Sequence, residues 1–290
     1  MAADLFLGVD GGGTRCRARL ETADGQVLGQ GVAGPASMRF GFDVARDAVM
    51  SATRQALTEA GLPEDALKST YAGIGLAGTG KLGAREALES WLHPFAGAWF
   101  EGDGYVAWLG AFGGGEGGIV VAGTGSIGIT YQGHTVRVGG YGFPVSDEGS
   151  GADLGLNALR HALRTLDGRT APGGLSKAIL AKFDDNPAEV IRWVETASAT
   201  DYATLATLVT QHAASGDIAA HDLLQEAANH IAELAYALFN KGVPKVALVG
   251  GLAETLKAYM PPNTAARLVN PQADAMAGGI LLAKQKIGAV

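Results

Sequence analysis

The chain has 290 residues, 47% of them hydrophobic and 18% charged; this suits one large globular domain or two ordinary ones and excludes a disordered chain. A formal net charge of −7 argues against a nucleic-acid or anionic-membrane surface. The single cysteine, Cys16, excludes an internal disulfide framework, and with no basic leader and no apolar run near the ~18 residues of a membrane span, a cytoplasmic protein is expected.

LFLGVD (5–10) predicts a short buried strand, GGGT turns the chain back, and RCRARLE (15–21) alternates as a half-buried strand does. After the turn at ADG, QVLGQGV predicts a third strand. DVARDAVMSATRQALTEAG (43–61) is an amphipathic helix stopped by Gly61 and Pro63. STYAGIGLAG (69–78) is a second buried strand, followed by a helix near AREALESWL. AWFEGD (98–103) predicts a strand ending at Asp103, and YVAWLGAF a helix. The pattern then recurs: GGIVVAGTGSIGITYQGHTVRVGG (117–140) is again strand, glycine turn, alternating strand, turn and third strand. Three helical stretches follow (ADLGLNALRHALRTLD, ATLATLVTQHAAS, AHDLLQEAANHIAELAYALFNKG), then a buried strand in KVALVGG (245–251) and a small-residue helix in DAMAGGILLAKQK. Two hairpin-plus-helix modules with a glycine turn in the same place predict two similar α/β lobes facing a central cleft, where a ligand is expected.

Glycine numbers 44, about twice the usual share of ~7%. It is knotted beside apolar runs rather than spread as a linker. In DGGGT (10–14), bare N–H groups of Gly11, Gly12 and Gly13 form a concave anion site, Thr14 adds a hydroxyl, and Asp10 is an oxygen ligand suited to Mg²⁺; a plain hairpin turn is the competing reading. AGTGS (122–126) keeps the glycines Gly123 and Gly125 and the hydroxyls of Thr124 and Ser126, and reads as the second jaw of a phosphate clamp. VGG, ending in Gly250 and Gly251, suits a nucleobase or ribose against bare backbone, or simply joins a strand to a helix. GIGLAG (73–78) and GLAGTGKL (75–82) imitate the dinucleotide and P-loop signatures. Leu82 stands where the P-loop needs Ser or Thr, however, and no second strand carries the ribose-binding acid. Asp103 would accept a proton from an attacking hydroxyl or cap the next helix. Asp147, in FPVSDEGSG, would bind sugar hydroxyls or stabilise the following helix dipole. The scattered histidines have no zinc spacing.

Together, GVDGGGTRCRARL, EGDGYVAWLGA, GGIVVAGTGSIG, GGYGFPVSDEGSGADLG and PQADAMAGG resemble, across nearly the whole chain, the BadF/BadG-type ATPase and N-acetylglucosamine kinase family of the actin/hexokinase/Hsp70 superfamily. The likeness is greatest to its bacterial glucosamine kinases. The resemblance implies two RNase H-like (actin-like ATPase) lobes: residues 1–112 joined by the C-terminal helix at about 275–290, and residues 113–274. It implies ATP-dependent, Mg²⁺-assisted phosphorylation of the 6-hydroxyl of glucosamine or N-acetylglucosamine; a homodimer is expected as the common default for such enzymes. Gly11 to Arg15 would hold the β- and γ-phosphates with Asp10 at the metal, Gly123 to Ser126 the second phosphate turn, and Gly250 and Gly251 the adenosine. Asp103 would be the base, with Ser37, Gly78, Gly140, Tyr141, Gly142 and Asp147 around the sugar. Ser37 departs from the asparagine usual in that loop.

Three alternatives follow. An N-acetylmuramate kinase would use the same chemistry. A non-catalytic sugar- or ATP-binding switch would not require Asp103. An electron-transfer activator sharing an iron–sulfur cluster needs two thiolates per chain, which one cysteine does not supply.

Overall fold

Two five-stranded mixed sheets organise the computed structural model, which describes residues 4–289. In chain order the first elements are β1 (Leu5–Gly11), β2 (Cys16–Thr22), β3 (Val27–Ala33), α1 (Phe42–Glu59), β4 (Thr70–Leu76), α2 (Ala84–Glu89), β5 (Gly97–Gly102) and α3 (Asp103–Phe112). Then come β6 (Gly118–Ala122), β7 (Ser126–Tyr131), β8 (Thr135–Val138), α4 (Gly151–Leu166), α5 (Gly174–Ala181), α6 (Pro187–Val194), α7 (Ala199–Ala214) and α8 (Ile218–Asn240). The chain continues through β9 (Val246–Val249), α9 (Ala253–Lys257), α10 (Pro262–Ala265), β10 (Leu268–Val269) and α11 (Ala275–Lys286). It partitions into two compact units. One runs to Gly117 and takes in Tyr131–Thr135 and the chain from Asn270 on; the other is Gly118–Thr130 with Val136–Val269.

The duplication predicted from the sequence is present in the topology. The first sheet has the order β3-β2-β1-β4-β5 and the second β10-β9-β6-β7-β8. In each, the opening strand pairs antiparallel with the next (β1 with β2, β6 with β7) and parallel with a later strand (β1 with β4, β6 with β9). Glycine turns explain the antiparallel neighbours and intervening helices the parallel ones.

Strand alternation sorts β1 into two faces. Leu5, Leu7 and Val9 enter a core with Ala52, Ala56 and Leu57 of α1, while Phe6 on the other face packs against Ile280 and Ala283 of α11. Gly8 and Gly73 are what let α11 approach. A Cβ at Gly8 would stand 1.9 Å from the Met276 carbonyl oxygen, and one at Gly73 1.9 Å from that of Gly279. The second unit buries a larger cluster in which β6 and β9 meet α4, α7 and α8, including Val120, Leu154, Leu205, Ile231 and Leu238.

Several local expectations change. The helix near residue 84 is only six residues long. Helices α5 and α6 lie between the first two of the three expected stretches; at eight residues each they span about two turns and depend on neighbours more than on their own pattern. β5 ends at Gly102, so Asp103 opens α3 rather than closing the strand. Among the described residues, no helix is long and apolar enough to cross a membrane.

Candidate functional site

In the first unit, the residues singled out around Asp10 converge for reasons of register. Asp10 stands opposite Arg17 across the β1–β2 hairpin and level with Gly75 on β4. Arg17 donates to Asp10 Oδ2 through Nη2 at 2.5 Å and Nε at 3.2 Å. Gly75 shares the face of Asp10, and a Cβ there would fall 2.1 Å from Val106 Cγ2, so α3 lies close against this end of the sheet. Asp103 is three residues before Val106, on the same side of α3, which brings the two carboxylates near one another. Burial and the Asp10 charge push Asp103 up to about 6, against the pull of its own and the Gly104 N–H groups and of the Arg39 guanidinium. Gly104 N donates to Asp103 Oδ1 at 2.9 Å.

The turn after β1 is closed by Gly12 N donating to the Arg15 carbonyl at 2.9 Å. Gly13 has open space where a side chain would be, Gly12 meets only the Arg15 carbonyl, and Thr14 and Arg15 are exposed. Gly11 is different: it is buried, and a Cβ there would collide with Leu76 Cδ2 at 2.6 Å. Neighbouring chain is bonded onto this turn, with Ala36 N donating to the Gly12 carbonyl at 3.0 Å and Ala77 N to that of Gly11 at 2.8 Å.

Those bonds carry Ser37 and Gly78 to the same place. Ser37 is 2% exposed and forms an isolated parallel bridge with Ala77. Its hydroxyl donates to the Ala77 carbonyl and accepts from Arg39 N, both at 3.3 Å. Gly78 has φ +77°, and a Cβ there would stand 3.2 Å from Arg39 Cγ.

The second unit gathers the other set. Gly123 N donates to the Gly125 carbonyl at 3.0 Å, and Gly151 N and Ala152 N at the start of α4 donate to the Gly123 and Thr124 carbonyls at 2.8 and 3.1 Å. Ser126 is buried and its hydroxyl donates to the Glu148 carbonyl at 2.8 Å. Gly250, with φ +108°, leaves only 2.3 Å between a would-be Cβ and the Ala122 carbonyl oxygen, whereas Gly251 is exposed with open space around it. Asp147 is 8% exposed with φ +71°. Its Oδ1 accepts from Gly142 N at 3.2 Å, and its Oδ2 lies 2.7 Å from where a Cβ of Gly125 would be. Gly140 rests on the Ile127 side chain, and Tyr141, 76% exposed, is covered on one face by Arg137, 4.5 Å from the ring centre.

Sequence reasoning missed Arg17 and Arg39. Arg17 was within reach, since a seven-residue hairpin offset puts it opposite Asp10. Arg39 carried no such signal, because its neighbours are fixed by the Ser37–Ala77 bridge. Cys16 is buried in β2, and burial with the Asp10 charge pushes its thiol up to about 12. That position does not suit a shared iron–sulfur cluster.

Comparison with known proteins gives concordant findings. The BadF/BadG/BcrA/BcrD ATPase family is matched over residues 7–283. The glucosamine kinase GspK of Vibrio cholerae serotype O1 is 36% identical over 281 residues, 97% of this chain and 96% of that protein. The N-acetylmuramic acid/N-acetylglucosamine kinase of Clostridium acetobutylicum is 27% identical over 239 residues, 78% of this chain and 76% of that one. A crystal structure of a candidate N-acetylglucosamine kinase from Chromobacterium violaceum superposes with a TM-score of 0.89 at 36% identity, covering 98% of this chain and all of that one.

Proposed function

Since the chain belongs to the BadF/BadG/BcrA/BcrD ATPase family, we propose that it is an amino-sugar kinase, transferring the γ-phosphoryl group of ATP to the 6-hydroxyl of glucosamine or N-acetylglucosamine. The α/β fold with two mixed sheets is that of the actin-like ATPases, and ATP use follows from membership of the family. Sugar phosphorylation draws support from the kinases of Vibrio cholerae and Clostridium acetobutylicum. The observation that carries the reading is the half-buried Asp103 at the start of α3, beside Asp10 and the open glycine turn.

Asp103 takes the proton of the sugar 6-hydroxyl as its oxygen attacks phosphorus. A carboxylate lifted to about 6 is still ionised at neutral pH and is a better base than an ordinary aspartate. Phosphoryl transfer asks the protein for position and positive electrostatics. The turn Gly11 to Arg15, closed by the Gly12–Arg15 bond, and the Thr14 hydroxyl serve the β- and γ-phosphates. Gly123 to Ser126 serve as the second phosphate turn through their backbone and Thr124. Gly250 and Gly251 border the adenosine. Gly78, Gly140, Tyr141, Gly142 and Asp147 serve the sugar, and Ser37 braces the loop beside it.

Among the described residues, no cluster of three or more His, Cys, Asp or Glu side chains is suited to a metal. Mg²⁺ does not need one, since it keeps several waters and binds through one or two carboxylates and substrate phosphates. Asp10, with Arg17 on Oδ2, fits that single-carboxylate role, and the ion would neutralise phosphate charge when bound.

A cytoplasmic homodimer is part of the same proposal. Light scattering after size exclusion tests the oligomeric state. N-acetylmuramate is the second acceptor worth testing, because the Clostridium acetobutylicum kinase is named for it. A Mg²⁺–ATP assay over glucosamine, N-acetylglucosamine, N-acetylmuramate and glucose tests the whole reading. Turnover with an amino sugar, lost in Asp103→Asn, upholds it. ATP binding with no sugar phosphorylated overturns it in favour of a non-catalytic switch.

A further inference from the structure

The sugar-side turn of the first unit presents a group that its sequence motif does not advertise. Ser37, expected to meet the sugar, is 2% exposed, and its hydroxyl is engaged by the Ala77 carbonyl and by Arg39 N. The next outward-facing side chain in that turn is Arg39, which is exposed. Its stem is fixed by packing: Met38 N donates to the Ala77 carbonyl at 2.9 Å, and Arg39 Cγ occupies the space beside Gly78. From Gly78 the contact continues to Asp103. Thr79 Oγ1 lies 3.4 Å from where a Cβ of Gly102 would be, one residue before Asp103. Among the described residues no carboxylate closes an ion pair with Arg39, and Arg39 is the cation that acts on Asp103.

We propose that Arg39 is a specificity-determining residue that reads the charge of the amino sugar, tilting the enzyme toward N-acylated or carboxylate-bearing acceptors and away from the protonated free amine. The inference rests on the kinase reading above and deepens it. A guanidinium offers five donors and no acceptor. It can serve an acetamido carbonyl or a lactyl carboxylate, whereas it repels an ammonium at the same distance. In the water-like surroundings of the exposed Arg39 one such charge is worth about 1 kcal/mol at ~4 Å, which is roughly 5-fold in a rate ratio. Asp10 and Asp103 attract an ammonium, so Arg39 opposes their pull, and its removal leaves that pull unopposed.

The test is kcat/KM for glucosamine, N-acetylglucosamine and N-acetylmuramate, measured at matched pH with Mg²⁺–ATP for the wild type, R39M, R39Q and R39K. R39M and R39Q are expected to raise the glucosamine to N-acetylglucosamine ratio about 5-fold and lower the N-acetylmuramate ratio by as much or more, while R39K keeps most of the wild-type pattern. Added salt should shrink the difference in discrimination between the wild type and R39M, because that difference is a charge effect and is screened. Thermal midpoints identify a variant that folds poorly, in which case R39Q stands in for R39M. If the neutral variants change every sugar by one common factor, Arg39 is merely structural and the proposal is overturned. A wild type that phosphorylates no sugar brings down the kinase reading and this inference with it; wild-type turnover upholds the kinase reading whatever the variants do.

Discussion

The two glycine hairpins occupy the same topological place and are built differently. The turn after β1 sits between charges, with Asp10 held by Arg17 and Asp103 nearby, and Gly12 and Gly13 are uncrowded. The turn after β6 has no carboxylate of its own. It is held in shape by two N–H groups at the start of α4 and by the Asp147 side chain against Gly125. The same backbone form therefore carries a carboxylate in one copy and none of its own in the other. The first turn is defined by its charges, the second by its packing.

Charge substitutions should break the first unit without unfolding it. Asp103→Asn is expected to cost about 10²- to 10⁴-fold in kcat, the usual worth of a positioned base, measured by steady-state kinetics. The same change should raise the thermal midpoint at neutral pH by a few degrees. A carboxylate raised in the folded state binds its proton more tightly there, so its contribution is favourable at low pH and is lost as pH rises from about 4 through about 6. Turnover without stability gain in Asp103→Asn would show the carboxylate to be neither base nor burden.

Packing substitutions should break the second unit. Gly250→Ala puts a methyl 2.3 Å from the Ala122 carbonyl at φ +108°, and a loss of about 1–3 kcal/mol in denaturant unfolding is expected. The sharper contrast pairs Gly125→Ala, which meets Asp147 Oδ2 at 2.7 Å, with Gly13→Ala, which meets nothing. The first should lower the thermal midpoint and weaken both sugar and ATP, whereas the second should leave the midpoint alone and raise only the KM for ATP. The smallest effect is a titration: kcat/KM should fall about tenfold per pH unit below about 6, as Asp103 gains its proton, with no matching change in the thermal midpoint of Asp103→Asn.

Much of this was legible in the sequence because it is local. Alternation located the hairpin strands, knots of glycine located the turns, and the repeated order of elements revealed the duplication. What escaped had non-local causes. Helices α5 and α6 are too short to carry a pattern. Asp103 moved from strand to helix because Gly102 takes the cap. Ser37 read as a binding hydroxyl because the sequence does not display its parallel bridge to Ala77, 40 residues away. Arg39 stayed silent for the same reason.

The packing of α11 on Gly8 and Gly73 has a consequence for synthesis. The first sheet is translated early, but the helix that covers the Phe6 face is Ala275–Lys286, which is translated only after the whole of the second unit. Domains generally fold as units, N-terminal first. Here that order is reversed, because Gly118–Thr130 and Val136–Val269 are complete before the N-terminal unit can close. A nascent chain halted before α11 should expose an open, apolar sheet face to chaperones, carrying an assembled second unit and an unfinished first one.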